Sequence, residues 1–282
     1  MNNWILLTIL YAVFVSLDEV FKKKATKTSS VFEVLLAFTT IALFLTCFIS
    51  KDIFSIDYSY IPMIFLKSTI IVIAWILGLI ALNGLQLGVY SIVKTSRIVF
   101  SIILSCLILG EKLNLLMVAG IITIIFGLIL VSTTATDNSK KKNSYKLIFV
   151  FLISCLCSSI SAILDKKLLV HVSSGQLQFW FLLFLTVYYW IIMLIKKKKI
   201  DYKAFKNIWV ILAAIGLVAG DRLLFMANKI DSSKVIVMTI LKQLSIIMSI
   251  ILGGIIFKEK NVLKKLLYAL LILGGVIITV IA

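Results

Sequence analysis

Residues 89–112 read VYSIVKTSRIVFSIILSCLILGEK, and residues 237–260 read VMTILKQLSIIMSIILGGIIFKEK. Laid over each other at a constant shift of 148 positions, Val89 onto Val237, they agree without a gap at Val89, Ile92, Lys94, Ile98, Ser101, Ile102, Ile103, Leu104, Ile108, Glu111 and Lys112. An isoleucine-rich chain yields some matches by composition alone. Lys94 with Lys242, Ser101 with Ser249, Glu111 with Glu259 and Lys112 with Lys260 are not of that kind, and the same shift carries Gly127 onto Gly275. The chain therefore reads as an internal duplication.

Each copy sits in an apolar block long enough to cross a hydrocarbon core ~30 Å thick. Working outward, hydropathy marks ten such spans, at 3–21, 31–49, 61–82, 88–109, 115–132, 147–165, 176–195, 207–228, 234–257 and 264–282. With 62% of residues hydrophobic and 15% charged, no soluble core could hide the apolar surface. Pro62 stands where the third span starts, a place where a missing N–H does no harm. The first span lacks a basic leader and a small-residue cleavage site, so it reads as a retained helix. A polar run from Ser132 to Asn143, ending in Lys140, Lys141 and Lys142, separates five spans from five. This divides the chain into a first repeat at 1–133, a polar connector at 134–146 and a second repeat at 147–282.

An odd number of helices per repeat turns the second copy over. The expected fold is all-α and integral to the membrane, ten transmembrane helices as two inverted five-helix repeats. That symmetry suits alternating access around a site near the bilayer midplane.

The formal charge of +17 comes from Lys clusters between apolar blocks, with no basic stripe or nucleic-acid reading motif. Nucleic acid is thus not an expected partner; the lipid bilayer and a small-molecule substrate are. A homo-oligomer is neither required nor excluded. Lys and Arg crowd the first, fifth, seventh and ninth loops and thin out on the side holding both termini. By the positive-inside rule this places Lys196 to Lys199 on the cytoplasmic side and both termini outside. The expected setting is a cell (plasma) membrane, the inner membrane in a bacterium. Cys47, Cys106, Cys155 and Cys157 lie inside apolar blocks and imply no disulfide framework, and His171, the one histidine, does not complete a metal site with them. No cofactor is expected.

Two acidic corners carry a family resemblance: Leu109-Gly110-Glu111-Lys112 after the fourth span and Phe257-Lys258-Glu259-Lys260 after the ninth, each followed by a glycine-bearing helix, at Gly127 and Gly275. In these the chain resembles the drug/metabolite transporter superfamily, specifically its EamA-like ten-helix members built as two five-helix repeats. It departs from that pattern with Ser16-Leu17 where a Trp-Gly pair is common, and in lacking the proline frequent in the fourth and ninth helices. The resemblance implies a transporter with both termini cytoplasmic, opposite to the loop charges.

Charged residues inside spans are the candidate site, because a centrally placed cation costs roughly 2.5 to 3.5 kcal/mol on insertion scales. Lys67, Lys94, Arg97, Arg222 and Lys242 are such residues. Arg97 lies near mid-span. Lys94, Arg97, Ser101 and Ser105 follow helical spacing on one face, and Lys242, Ser245, Ser249 and Gly253 repeat it. Lys94, Arg97, Lys242, Arg222, Ser101 and Ser249 are therefore the expected substrate-binding set. Asp18, Glu19 and Asp221 are the expected counter-charges or proton carriers. Asp18 with Lys22, and Glu19 with Lys23, are also spaced for intrahelical ion pairs. Trp75, Tyr90, Trp180, Tyr188, Tyr189 and Trp190 suit either a cage for a quaternary amine or an interfacial belt.

These features favour a secondary transporter for a small organic anion or zwitterion. The alternative is an exporter of amines or cationic drugs, coupled to protons and using Asp18, Glu19 or Asp221. No nucleotide-binding loop occurs, so ATP is not the direct energy source. An intramembrane enzyme would need a paired-carboxylate, His-metal or nucleophile-base arrangement, and no catalytic residue is expected. A purely structural subunit would not need buried charge in both repeats.

Overall fold

The structure is a computed structural model that describes residues 3–49, 53–109, 114–134, 141–196, 202–228, 230 and 235–281. Among these every regular element is helical, as lipid demands when each backbone N–H and C=O must be satisfied within its own segment. Helix α1 spans Asn3–Ala25, α2 Val31–Ile49 and, after a 3-10 turn at Tyr58–Tyr60, α3 Ile61–Gly84. There follow α4 (Leu87–Lys94), α5 (Ser96–Leu109), α6 (Leu115–Thr134), α7 (Lys141–Leu168) and α8 (Ser174–Ile195). The chain continues through the short α9 (Lys203–Lys206), then α10 (Ile208–Asn228), α11 (Val235–Lys242), α12 (Leu244–Phe257) and α13 (Val262–Ile281). Among the described residues eight segments are long and apolar enough to cross a membrane, and the apolar run Leu115–Val131 of α6 is shorter. The chain is an all-helical, multi-pass membrane protein.

Local chemistry starts the second helix of each half. Ser30 and Glu33 exchange hydrogen bonds ahead of α2, and Ser173 and Gln176 do the same ahead of α8, each a reciprocal cap of the first turn. Helices α1 and α7 run past their apolar blocks into lysine-bearing turns, because Lys is a good helix former whose stem lies along apolar surface.

The fourth and ninth spans are each interrupted in the structure. Each is split, at Thr95 between α4 and α5 and at Gln243 between α11 and α12, positions that the 148-residue shift superimposes. Hydroxyl groups compete with the helix ladder here. Thr95 Oγ1 donates to the Ile92 carbonyl, and Ser245 Oγ donates to the Lys242 carbonyl at 2.9 Å, while the Thr95 and Gln243 amides fall back on carbonyls three residues earlier. One continuous stripe from Lys94 to Ser105 is thereby replaced by two short helices meeting at the site, with the Ser105 side chain outside the described residues. The corner Gly110-Glu111-Lys112, Lys197 to Lys199, and residues 135–140 of the connector also lie outside them.

Packing between the halves is reciprocal. Helix α1 packs on α10 as α7 packs on α3; α1 packs on α12 as α7 packs on α5; α10 packs on α2 as α3 packs on α8. Helices α6 and α13 pair at the far edge, where a Cβ added at Gly275 would stand 2.9 Å from the Gly120 carbonyl oxygen, so these backbones approach as only glycine allows.

Candidate functional site

Between α1, α2, α3, α4, α5, α7, α8 and α10 lie two adjoining cavities of about 260 and 380 Å³. The first is bounded by Tyr11, Asp18, Glu19 and Lys22 of α1 and by Lys94 of α4. The second is bounded by Lys67 of α3, Asp165 of α7 and Gln178 of α8, and extends to Ser174 where α8 begins. Trp75, Arg97, Leu217 and Asp221 line both and form the waist between them. Buried polar groups in such a setting must be paired or bear on function.

Most of the charges are paired. Lys94 Nζ donates to Glu19 Oε1 at 2.7 Å, and Ser91 and Ser249 hydroxyls donate to Glu19 Oε2 at 2.6 and 2.8 Å. Glu19 thus joins α1 to α4 and to α12. Lys22 Nζ meets Asp18 Oδ2 at 2.8 Å, the expected intrahelical pair. Glu19 does not take Lys23, because Lys23 points one turn further out to the Leu85 carbonyl and to Glu259, leaving Glu19 for Lys94. Lys67 Nζ meets Asp165 Oδ1 at 2.6 Å and lies 3.9 Å from the Phe181 ring centroid. Asp221 accepts from Gln178 Nε2 of α8 at 3.0 Å.

Among the cations lining the cavities, Arg97 differs from Lys22, Lys67 and Lys94. It makes no ion pair with any described residue, and its Nε is buried without an acceptor. Its position is nonetheless held from behind, by Ser159 of α7, whose hydroxyl donates to the Arg97 carbonyl at 3.0 Å. A guanidinium anchored by its backbone, with its Nε unpartnered, has the chemistry to hold a carboxylate or another anion.

Of the residues singled out in the sequence, Lys94, Arg97, Asp18, Glu19 and Asp221 come together around the cavities. Ser249 joins them through Glu19. Lys242 lines neither cavity but lies 6.0 Å from the ring of Tyr11, which does. Arg222 and Ser101 line neither. Of the six aromatic candidates, Trp75 and Tyr90 line these two cavities. Sequence reading missed Gln178, Ser91 and Tyr11. Neutral polar residues carry no insertion penalty large enough to flag them, and only the position of Ser91 three residues before Lys94 offered a signal.

No curated relative matches the chain. A solved structure titled "Crystal structure of protein" shares its fold, with a TM-score of 0.62 at 11% identity over 98% of this chain and 95% of that one. The EamA-like transporter family matches residues 2–133 and 145–281. With nearly its whole length so matched, and cavities lined by buried charge between its helices, the chain belongs to the EamA-like transporter family.

Proposed function

We propose that the chain is a secondary transporter carrying a small organic anion or zwitterion by alternating access, through ten membrane helices arranged as two inverted five-helix repeats. The 148-residue duplication, the paired breaks at Thr95 and Gln243 and the reciprocal packing of the halves support the inverted arrangement. The plasma membrane is its proposed setting.

The observation that carries the substrate class is Arg97 at the waist, with no carboxylate of a described residue within ion-pair distance, and Asp221 on the same waist bound to an amide and, among the described residues, to no cation. Lys22, Lys67 and Lys94 are already neutralised. A zwitterion satisfies both open charges, its carboxylate on Arg97 and its cationic group near Asp221. A simple anion satisfies Arg97 alone and leaves Asp221 free to carry a coupling proton.

The test is thermal stabilisation of the purified protein by a panel of small carboxylates, zwitterions and amines, followed by flux in proteoliposomes. A ligand at a hundred times its Kd stabilises by about 2.7 kcal/mol. Arg97→Ala should lose that stabilisation while remaining folded, and Lys264→Ala, on an exposed position of α13, should keep it. Stabilisation by amines only, unchanged in Arg97→Ala, replaces this reading with the amine exporter.

A further inference from the structure

Outside the cavities, the turn between α12 and α13 carries a second buried charge network. Lys258 takes a left-handed conformation (φ 51°, ψ 42°), and the Glu259 amide returns to the Gly253 carbonyl at 3.2 Å. This folds the Glu259 side chain back over α12, where only a glycine leaves room: a Cβ at Gly253 would stand 2.9 Å from Glu259 Oε2. The carboxylate then reaches the start of α4, accepting from the Leu87 and Gly88 amides, the latter at 3.1 Å. Lys265 of α13 meets it at 2.9 Å and Lys23 of α1 at 3.5 Å. A carboxylate set on a helix N-terminus between two buried cations is a favourable arrangement that leaves several charges stranded when it opens.

Glu259 and Lys265 belong to the second half of the chain, and Lys23, Leu87 and Gly88 to the first. About 26 Å away along α3, the opposite face has its own ion pair between halves, Lys67 with Asp165, beside the neutral hydrogen bonds of Gln176 to the Ser55 hydroxyl and of Trp180 to the Ile53 carbonyl, both at 3.1 Å. The two differ in strength. The Glu259 side chain is 5% exposed and has four partners, whereas Asp165 is 33% exposed and borders the second cavity.

We propose that the Glu259 network is a latch, holding closed the face at which α12 joins α13, and that its advantage over the Lys67–Asp165 tie sets the resting protein open toward the opposite face. The inference rests on the alternating-access part of the proposed function and not on the substrate. Helix α4 links latch to site: eight residues long, it is gripped at Leu87 and Gly88 by Glu259 and at Ser91 and Lys94 by Glu19. Loss of the Glu19 contacts would free the inner end of α4, and departure of Glu259 the outer end.

The experiment places a cysteine at Leu82, at the end of the first cavity nearest the latch, or at Ser161, in the second cavity. Labelling by a maleimide is followed in detergent without substrate, against the unsubstituted protein as background for its native cysteines. In the native context S161C should react faster than L82C. Glu259→Gln should raise L82C labelling on the order of tenfold and lower that of S161C, and Asp165→Asn should act in the opposite sense. Folding is checked by gel filtration and melting. Lys23→Gln, which leaves Glu259 on Lys265 and both amides, should shift labelling in the same direction by less if E259Q does not fold, and D165N carries the test if neither does. Unchanged L82C labelling in the folded latch variants, or in D165N where it alone folds, shows a static clamp and overturns the proposal. Because no substrate is present, this outcome is independent of the Arg97 result.

Discussion

Glu259 lies between the spans ending at Phe257 and starting at Val262, and its carboxyl is held below the ordinary range although burial by itself pushes it up. Lys265 and Lys23, with the hydrogen bonds from Lys265 and the Gly88 amide, outweigh that burial. The sign for stability follows from linkage: a group with a depressed folded pKa contributes fully above its unfolded value, about 4.3, and loses the contribution as pH falls through the lower folded value. Glu259→Gln should therefore melt at a lower temperature than the native protein at pH 7, by the equivalent of about 3 kcal/mol, with the gap narrowing once the pH drops below 4. A gap independent of pH would mean that the carboxylate charge is not what holds the turn. At this scale the sequence was most legible where charge sat in lipid. Arg97, Lys94, Asp18 and Glu19 announced themselves through the insertion penalty. Glu259 stood at a water-facing corner, where a carboxylate needs no explanation, and its buried role depends on the left-handed turn at Lys258, which the sequence did not mark with glycine.

At the scale of elements, hydropathy located the helices well because each must cover a bilayer. It did not locate the breaks at Thr95 and Gln243, where no Pro or Gly stands and the cause is a hydroxyl competing for a carbonyl. The glycines of α13 make a sharper case. A Cβ at Gly275 would meet the Gly120 oxygen at 2.9 Å and the Ile124 amide nitrogen at 3.0 Å, backbone atoms that cannot step aside, whereas a Cβ at neighbouring Gly274 meets nothing within 4 Å. Gly275→Ala should destabilise by about 1–3 kcal/mol through overpacking. Gly274→Ala should leave the melting temperature unchanged or slightly raised, since alanine is the better helix former. Equal effects from the two substitutions would show that α6 and α13 do not pack at the distance seen here.

At the scale of the whole molecule, the loop charges and the family resemblance gave opposite orientations. The structure supplies the faces on which to test them. Asn207, ahead of α10, donates to the Thr28 hydroxyl at 2.9 Å, which puts the α1–α2 and α8–α10 connections on one face, and the Lys23 contact joins the α12–α13 turn to it. Lys24, Lys27, Lys196, Lys203, Lys206, Lys258 and Lys260 cluster at those connections. The opposite face carries the Tyr58–Tyr60 turn and the start of α8, where Tyr60 stacks on His171. Retention of basic loops on the cytoplasmic side acts on short loops such as these, so the Lys-rich face should be cytoplasmic. A cysteine at Tyr202, which is exposed beside α9, should resist an impermeant maleimide in intact cells and react after permeabilisation, while one at Tyr58 should react in both. The reverse pattern would put both termini inside, as the family resemblance implies. The outcome also assigns the proposed latch: with the Lys-rich face cytoplasmic, the Glu259 network would close the inner side and the resting cavities would open outward.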